Sequence, residues 1–170
     1  MTASSVDIAP RSQAHSVTEM TEYVLPQHAN AYSTVFGGQI MAWVDLCAAI
    51  CAQRHAGRPC VTAFVDDMKF HEPVRIGEVV RLRAAVSAVF RTSIEIEVEV
   101  RGEDSVTGRT WPCVQARVTF VALDAQRKPT AVPPLDLSDP AVARSQREGE
   151  ERRRFRLSRG VPSQSAIPIR

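Results

Sequence analysis

The chain has 170 residues, 44% apolar and 24% charged, a globular balance that supplies one core and one domain. Its formal net charge is +2, and residues 138–170 hold eight arginines against four acids, so the positive sign belongs to the tail and no nucleic-acid partner is expected. No run of about 18 apolar residues exists to span a membrane, and Met1-Thr2-Ala3-Ser4-Ser5-Val6-Asp7 lacks the basic start and apolar stretch of a leader; a cytoplasmic location, with Cys47, Cys51, Cys60 and Cys113 reduced, is the expectation.

Residues 1–17 are polar and aperiodic and read as a flexible N-terminal segment. Glu19 to Leu25 fits a first strand, ended by Pro26. A loop from His28 to Gly38 closes on Gly37-Gly38. Gln39 to His55 reads as one long helix, apolar nearly all round through Ile40, Met41, Trp43, Val44, Leu46, Cys47, Ala48, Ala49, Ile50, Cys51 and Ala52, so the rest of the protein should wrap it. After Gly57-Arg58-Pro59 the period becomes strand-like. Cys60 to Val65 is a strand, Pro73 to Glu78 a turn, and Val79 to Phe90 a long strand. In Thr92 to Arg101, Ile94, Ile96, Val98 and Val100 alternate with Ser93, Glu95, Glu97 and Glu99, which gives a half-buried strand with a wet glutamate face. Glu103 to Gly108 is turn chemistry, and Thr110 to Leu123 is the last strand. Short links make the last three strands an antiparallel meander. The domain therefore covers 18–137, and 138–170 reads as an arginine-rich, partly disordered C-terminal extension. The fold class is α+β: a curved antiparallel sheet wrapped around one central helix, with open sheet edges that a second copy would cover.

Asp45 is the only charged residue between Gln39 and Gln53. An isolated carboxylate on a buried helix is costly unless paired or put to use, so it is either catalytic or a structural acceptor for loop N–H groups. Gly37-Gly38 lets a ligand approach unpaired backbone N–H groups at the positive end of the helix dipole, or forms an ordinary tight turn. Asn30 could hold a water or a carbonyl, or simply shape the loop. Cys47 and Cys51 share a helix face, but no histidine or carboxylate completes a metal spacing, so packing is expected and no metal. No Gly-x-Ser-x-Gly elbow is present. The Arg152-Arg153-Arg154 run reads as a solvated or inter-subunit charge run.

The segment His28-Ala29-Asn30 through Phe36-Gly37-Gly38-Gln39-Ile40-Met41-Ala42-Trp43-Val44-Asp45 resembles the signature of hotdog-fold acyl-CoA thioesterases, the acyl-CoA hydrolase family. Further matches run through Val61-Thr62-Ala63, Asp67-Met68, Phe70 to Glu78, Arg91-Thr92-Ser93, Thr119 to Asp124, and Arg152-Arg153 to Leu157. Ser33 departs from the pattern, where family members commonly have glycine. The resemblance implies hydrolysis of acyl-CoA to free fatty acid and coenzyme A without a cofactor, within fatty-acid metabolism. It implies Asp45 and Asn30 as catalytic residues, with Asp45 a general base or a direct nucleophile. For such a reaction the oxyanion is expected at Gly37 and Gly38 and the acyl chain along the helix past Trp43 and Leu46; the coenzyme A phosphates need positive charge, which Arg91 beside Thr92 and Ser93 could supply, or the arginine pairs with a structural acid. The resemblance also implies a homo-oligomer, a dimer at minimum and a trimer of dimers, or hexamer, in full. A non-catalytic acyl-CoA sensor is the alternative. A hotdog hydratase would need a histidine five residues after the aspartate, where this chain has Ile50.

Overall fold

The structure, a computed structural model, describes residues 8–158. Five strands form one antiparallel sheet in the order β1-β3-β4-β5-β2, with β1 Thr18–Tyr23, β2 Cys60–Phe70, β3 Val79–Val89, β4 Ser93–Glu103 and β5 Thr110–Ala122. The expected β3-β4-β5 meander is present, β1 borders β3, and β2 borders β5. The helix α1, Gly37–Ala56, lies on the inner face. It buries Ile40, Val44, Cys47, Ala48, Cys51 and Ala52 against Leu82, Val86, Ile94, Ile96, Val98, Val118 and Phe120. Gly57, in the left-handed region, ends the helix with its N–H on the Gln53 carbonyl oxygen.

The sheet does not enclose α1. Gly38, Met41, Ala42, Asp45, Leu46, Gln53 and Arg54 form an exposed stripe at helical spacing. Apolar residues on this stripe made the helix read as buried all round, but only one face meets the sheet. Strand β2 also runs five residues beyond the expected Val65. Its alternation breaks at two register shifts, between Thr62 and Phe64 and between Val65 and Asp67, so the polar run Asp66-Asp67 hid its continuation.

The larger difference is at the C-terminus. Pro140–Ser158 is a second helix, α2, where the sequence suggested little order. It packs on the outer face of the sheet and buries Val142, Gln146, Gly149 and Arg156. Because three of these are polar or glycine, no apolar stripe announces the helix. Gln146 accepts from the Val89 N–H at 2.9 Å and donates to the Val89 carbonyl oxygen at 3.0 Å. Glu95, expected on a wet face, is fully buried beneath α2. Its carboxylate accepts from Ser87 Oγ and from Arg152, each at 2.6 Å. Arg153 stacks on Phe90, with 4.9 Å from guanidinium to ring centre. Two of the three consecutive arginines are therefore tied to the sheet.

Residues 8–17 are also held. Arg11 bridges Leu135, its guanidinium donates to the carbonyl oxygens of Arg54 and His55, and Ser16 is buried. The expectations for residues 1–7 and 159–170 lie outside the described residues.

Candidate active site

Helix α1 and edge strand β2 line a groove of about 380 Å³, walled by Met41, Ala42, Val44, Val65, Met68 and Val118. Asp45 and Thr62 sit on its rim, and Thr62 Oγ1 donates to Asp45 Oδ1 at 2.7 Å. Asp45 is exposed in the single chain, which corrects the expectation of a buried carboxylate. One Asp45 oxygen is oriented by a neutral hydroxyl, and the groove beside it is apolar. Trp43 does not line this groove. It is buried, with His28 edge-on at 5.1 Å between ring centres, whereas Leu46 is exposed on the bare stripe.

Phe36 is the residue before α1, its N–H donates to the His28 carbonyl oxygen at 2.8 Å, and its own carbonyl accepts from Gln39 and Ile40. The N–H groups of Gly37 and Gly38 have no acceptor among the described residues. They are two free donors at the positive end of a 20-residue helix, an arrangement that stabilises a developing oxyanion. A Cβ on Gly38 would lie 2.7 Å from the exposed Phe36 ring, so the glycine lets that ring lie against the helix start.

Asn30 shapes the loop before the helix. Its Oδ1 accepts from the Tyr32 N–H at 2.9 Å, the Thr34 N–H at 3.3 Å and Thr34 Oγ1 at 3.2 Å. Its Nδ2 has no acceptor among the described residues, so it remains available to a ligand. Ser33 takes φ 59°, in the left-handed region, which is a physical reason for glycine at this place.

The hairpin carrying Arg91, Thr92 and Ser93 lies at the same end of the sheet as Thr62. Ile94, Phe120 and Thr62 share one cross-strand row, so the hairpin is about 10 Å from Thr62, two strand spacings away. Arg91 is exposed and pairs with no carboxylate among the described residues. Ser93 is buried, which removes its side chain as a ligand contact in the single chain. Among the described residues, no group of three or more His, Cys, Asp or Glu side chains could hold a metal ion. No described helix is long and apolar enough to cross a membrane.

Thr62 lies within the matching Val61-Thr62-Ala63 segment, but nothing in the sequence marks it as functional. A threonine in a strand is ordinary β chemistry, and the contact with Asp45 spans seventeen residues of chain.

A family model described as Thioesterase superfamily matches residues 32–109. An uncharacterized acyl-CoA thioester hydrolase of Zymomonas mobilis is 38% identical over 121 residues, 69% of this chain and 81% of that protein. An acyl-CoA hydrolase from Staphylococcus aureus, solved with butyryl coenzyme A and coenzyme A, superposes at TM-score 0.81 with 32% identity, over 89% of this chain and 92% of that one. That enzyme has also been solved as alanine variants of an asparagine, an aspartate and a threonine; the aspartate lies fifteen residues after the asparagine, and the threonine seventeen after the aspartate. Acyl-coenzyme A thioesterase 11 of mouse is 39% identical over 104 residues, 61% of this chain, and the match spans only 18% of that longer protein. The chain is a hotdog-fold member of the thioesterase superfamily. Within it, the chain belongs to the acyl-CoA thioester hydrolase family.

Proposed function

We propose that this chain hydrolyses acyl-CoA thioesters to a free fatty acid and coenzyme A, with Asp45 and Asn30 as its catalytic residues. The observation that carries the reading is the Thr62–Asp45 pair on the rim of an apolar groove. Asn30, Asp45 and Thr62 have the identities and the fifteen- and seventeen-residue separations of the three positions varied in the Staphylococcus aureus hydrolase. The acyl chain occupies the groove between α1 and β2. The thioester oxygen lies against the N–H groups of Gly37 and Gly38, which stabilise the charge that builds on it. Asp45 takes a proton from the water that attacks and displaces the coenzyme A thiolate, or attacks the carbonyl itself, expelling that thiolate and forming an anhydride that water then hydrolyses to the free acid and Asp45. Thr62 fixes one carboxylate oxygen and leaves the other for chemistry. Asn30 Nδ2 orients the water or the thioester. Arg91, with Thr92 beside it, meets the coenzyme A phosphates.

The working unit is a dimer within a hexamer, that is, a trimer of dimers. The bare apolar stripe on α1 needs a cover. Related solved structures include an apo-hexameric acyl-CoA thioesterase at TM-score 0.85 and a hexameric thioesterase of Yersinia pestis at 0.63. A cytoplasmic site of action, in fatty-acid metabolism, goes with four free thiols and with rat and mouse relatives named cytosolic acyl coenzyme A thioester hydrolase. Steady-state release of free thiol from a series of acyl-CoAs tests the reading. Turnover is expected; tight binding without thiol release would favour the sensor reading.

A further inference from the structure

Strand β2 is a sheet edge, and an edge strand with two register shifts is weakly specified by its ladder alone. Yet β2 must place Thr62 against Asp45. The shifts leave Ala63 and Asp66 outside the paired register, so pairing with β5 alone does not fix the segment beside Thr62.

Helix α2 adds a second hold from within the chain. Outer-face residues Ala88, Glu95, Thr119 and Phe64 lie in one row across β3, β4, β5 and β2. Gln146 grips Val89 on β3, Arg152 grips Glu95 on β4, and Arg156 reaches β2. The ten residues from Gln146 to Arg156 rise about 15 Å, and three strand spacings are about 14 Å. The helix thus crosses the strands and ties β3, β4 and β2 to one another.

At the far end, Arg156 is itself buried at 8% exposure. It donates to the Asp66 carboxylate and stacks its guanidinium 4.9 Å from the Phe64 ring centre. These are the residues just after the first shift and inside the second, two and four positions beyond Thr62. A planar cation that pairs and stacks at once fixes both position and rotation of a backbone segment.

We infer that Arg156 is a positioning residue for the hydrolysis, acting through β2 to hold the Thr62 hydroxyl on Asp45. The inference rests on the hydrolase reading. The test uses the full chain: wild type, Arg156→Ala, Arg156→Lys, Asp66→Asn, Thr62→Ala, and Arg156→Ala combined with Thr62→Ala. Thiol release from an acyl-CoA gives kcat and KM, and amide hydrogen exchange is followed over residues 62–67. Arg156→Ala and Asp66→Asn should lower kcat about tenfold or more, since small misplacements at a reacting centre have large rate costs. KM should change much less. Arg156→Lys, which keeps the charge but not the stack, should fall between. Exchange over 62–67 should quicken while β3 and β4 stay protected. In the Thr62→Ala background the Arg156→Ala cost should largely vanish, which a merely structural role would not produce. Wild-type kcat in both Arg156→Ala and Asp66→Asn, unchanged exchange over 62–67, or a full cost that persists without Thr62 would each overturn the inference while leaving the hydrolase reading intact. A wild-type chain that releases no thiol would instead overturn the hydrolase reading, and this role with it.

Discussion

Thr62 Oγ1 donates to Asp45 Oδ1 at 2.7 Å across the gap between α1 and β2, so a strand residue orients the carboxylate of a helix residue. The two have separable roles. Removing the carboxylate removes the base or nucleophile, and Asp45→Ala should lose about 10²–10⁴-fold in kcat. Removing the hydroxyl leaves the carboxylate present but free to rotate, so Thr62→Ala should lose less. Both residues are exposed in the single chain, and neither change should unfold it. Near wild-type thiol release by folded Asp45→Ala would refute the mechanism.

The contrast between Asp45 and Thr62 also marks what the sequence made legible. The helix and the β3-β4-β5 meander were readable because one face of each is uniformly apolar. Asp45 stood out as a lone charge, and Gly37-Gly38 as a helix start. Thr62 carried no such contrast, since its partner is set by the way β2 folds back on α1. Helix α2 was unreadable for a different reason. It buries Val142, Gln146, Gly149 and Arg156 and pairs Arg152 with the Glu95 carboxylate, so a single apolar residue marks its buried face and no hydrophobic period exists to find. The exposure of Asp45 was hidden because the apolar stripe around it is the same chemistry as a core face.

Stability should depend on the protonation of His55. The ring is fully buried, Nε2 lies 3.0 Å from the Pro133 carbonyl oxygen, and Nδ1 has no partner among the described residues. Burial lowers its pKa below the ordinary 6.5, with the Arg11 guanidinium on the His55 carbonyl oxygen adding to the effect. The neutral ring is the one the fold accepts. Its contribution is therefore complete above about pH 6.5 and is lost as the pH falls from there toward the folded pKa. Thermal unfolding followed from pH 7.5 to 5.5 should show a falling Tm, with a shallower slope in His55→Gln. Equal slopes in the two proteins would rule His55 out as the source.

Cys47 and Cys51 should matter to packing and not to chemistry. Burial pushes their thiols up to about 11 and about 12, so both remain protonated at neutral pH. Neither should react with iodoacetamide in native protein at pH 8. Cys47→Ala and Cys51→Ala should each cost about 1 kcal/mol of stability with kcat unchanged. Stoichiometric zinc lost together with activity in these variants would contradict the reading.

The seating of α2 can be tested at Gly149. A Cβ there would lie 2.3 Å from Ala88 Cβ, an atom fixed on a paired strand. Alanine gains about 1 kcal/mol of helix propensity over glycine, and forced overpacking costs about 1–3 kcal/mol. Gly149→Ala should therefore be neutral to destabilising, and Gly149→Val clearly destabilising. A rise in Tm for the valine variant would mean that α2 does not sit against β3 at this distance.

The last prediction is that each site is built from two subunits. Gly37 and Gly38 precede Asp45 by seven or eight residues on one helix, which is about 10–12 Å along its axis. A base and an oxyanion donor acting on one carbonyl must each come within about 3 Å of the reacting atoms. Within one chain the helix start and Asp45 are thus set apart along the axis, which favours a thioester held between the helix start of one subunit and Asp45 of another. Asn30 belongs with the helix start. Its loop is tied to Phe36 through His28, and His28 packs on Trp43, which points about 200° around the helix from Asp45. Pairing two copies across the bare Met41–Leu46 stripe would bring the Asn30 and Gly37-Gly38 end of one chain to Asp45 of the other. Asp45→Ala and Asn30→Ala homo-oligomers should each be strongly impaired. Unfolded together and reassembled, they should recover part of the wild-type rate, because a dimer holding one of each places intact Asp45 and intact Asn30 in the same site. Recovery should approach a quarter of wild-type activity, since half of the dimers from a random mixture are hybrids and each hybrid holds one complete site. No recovery in dimers verified as mixed would show that each site is completed within one chain.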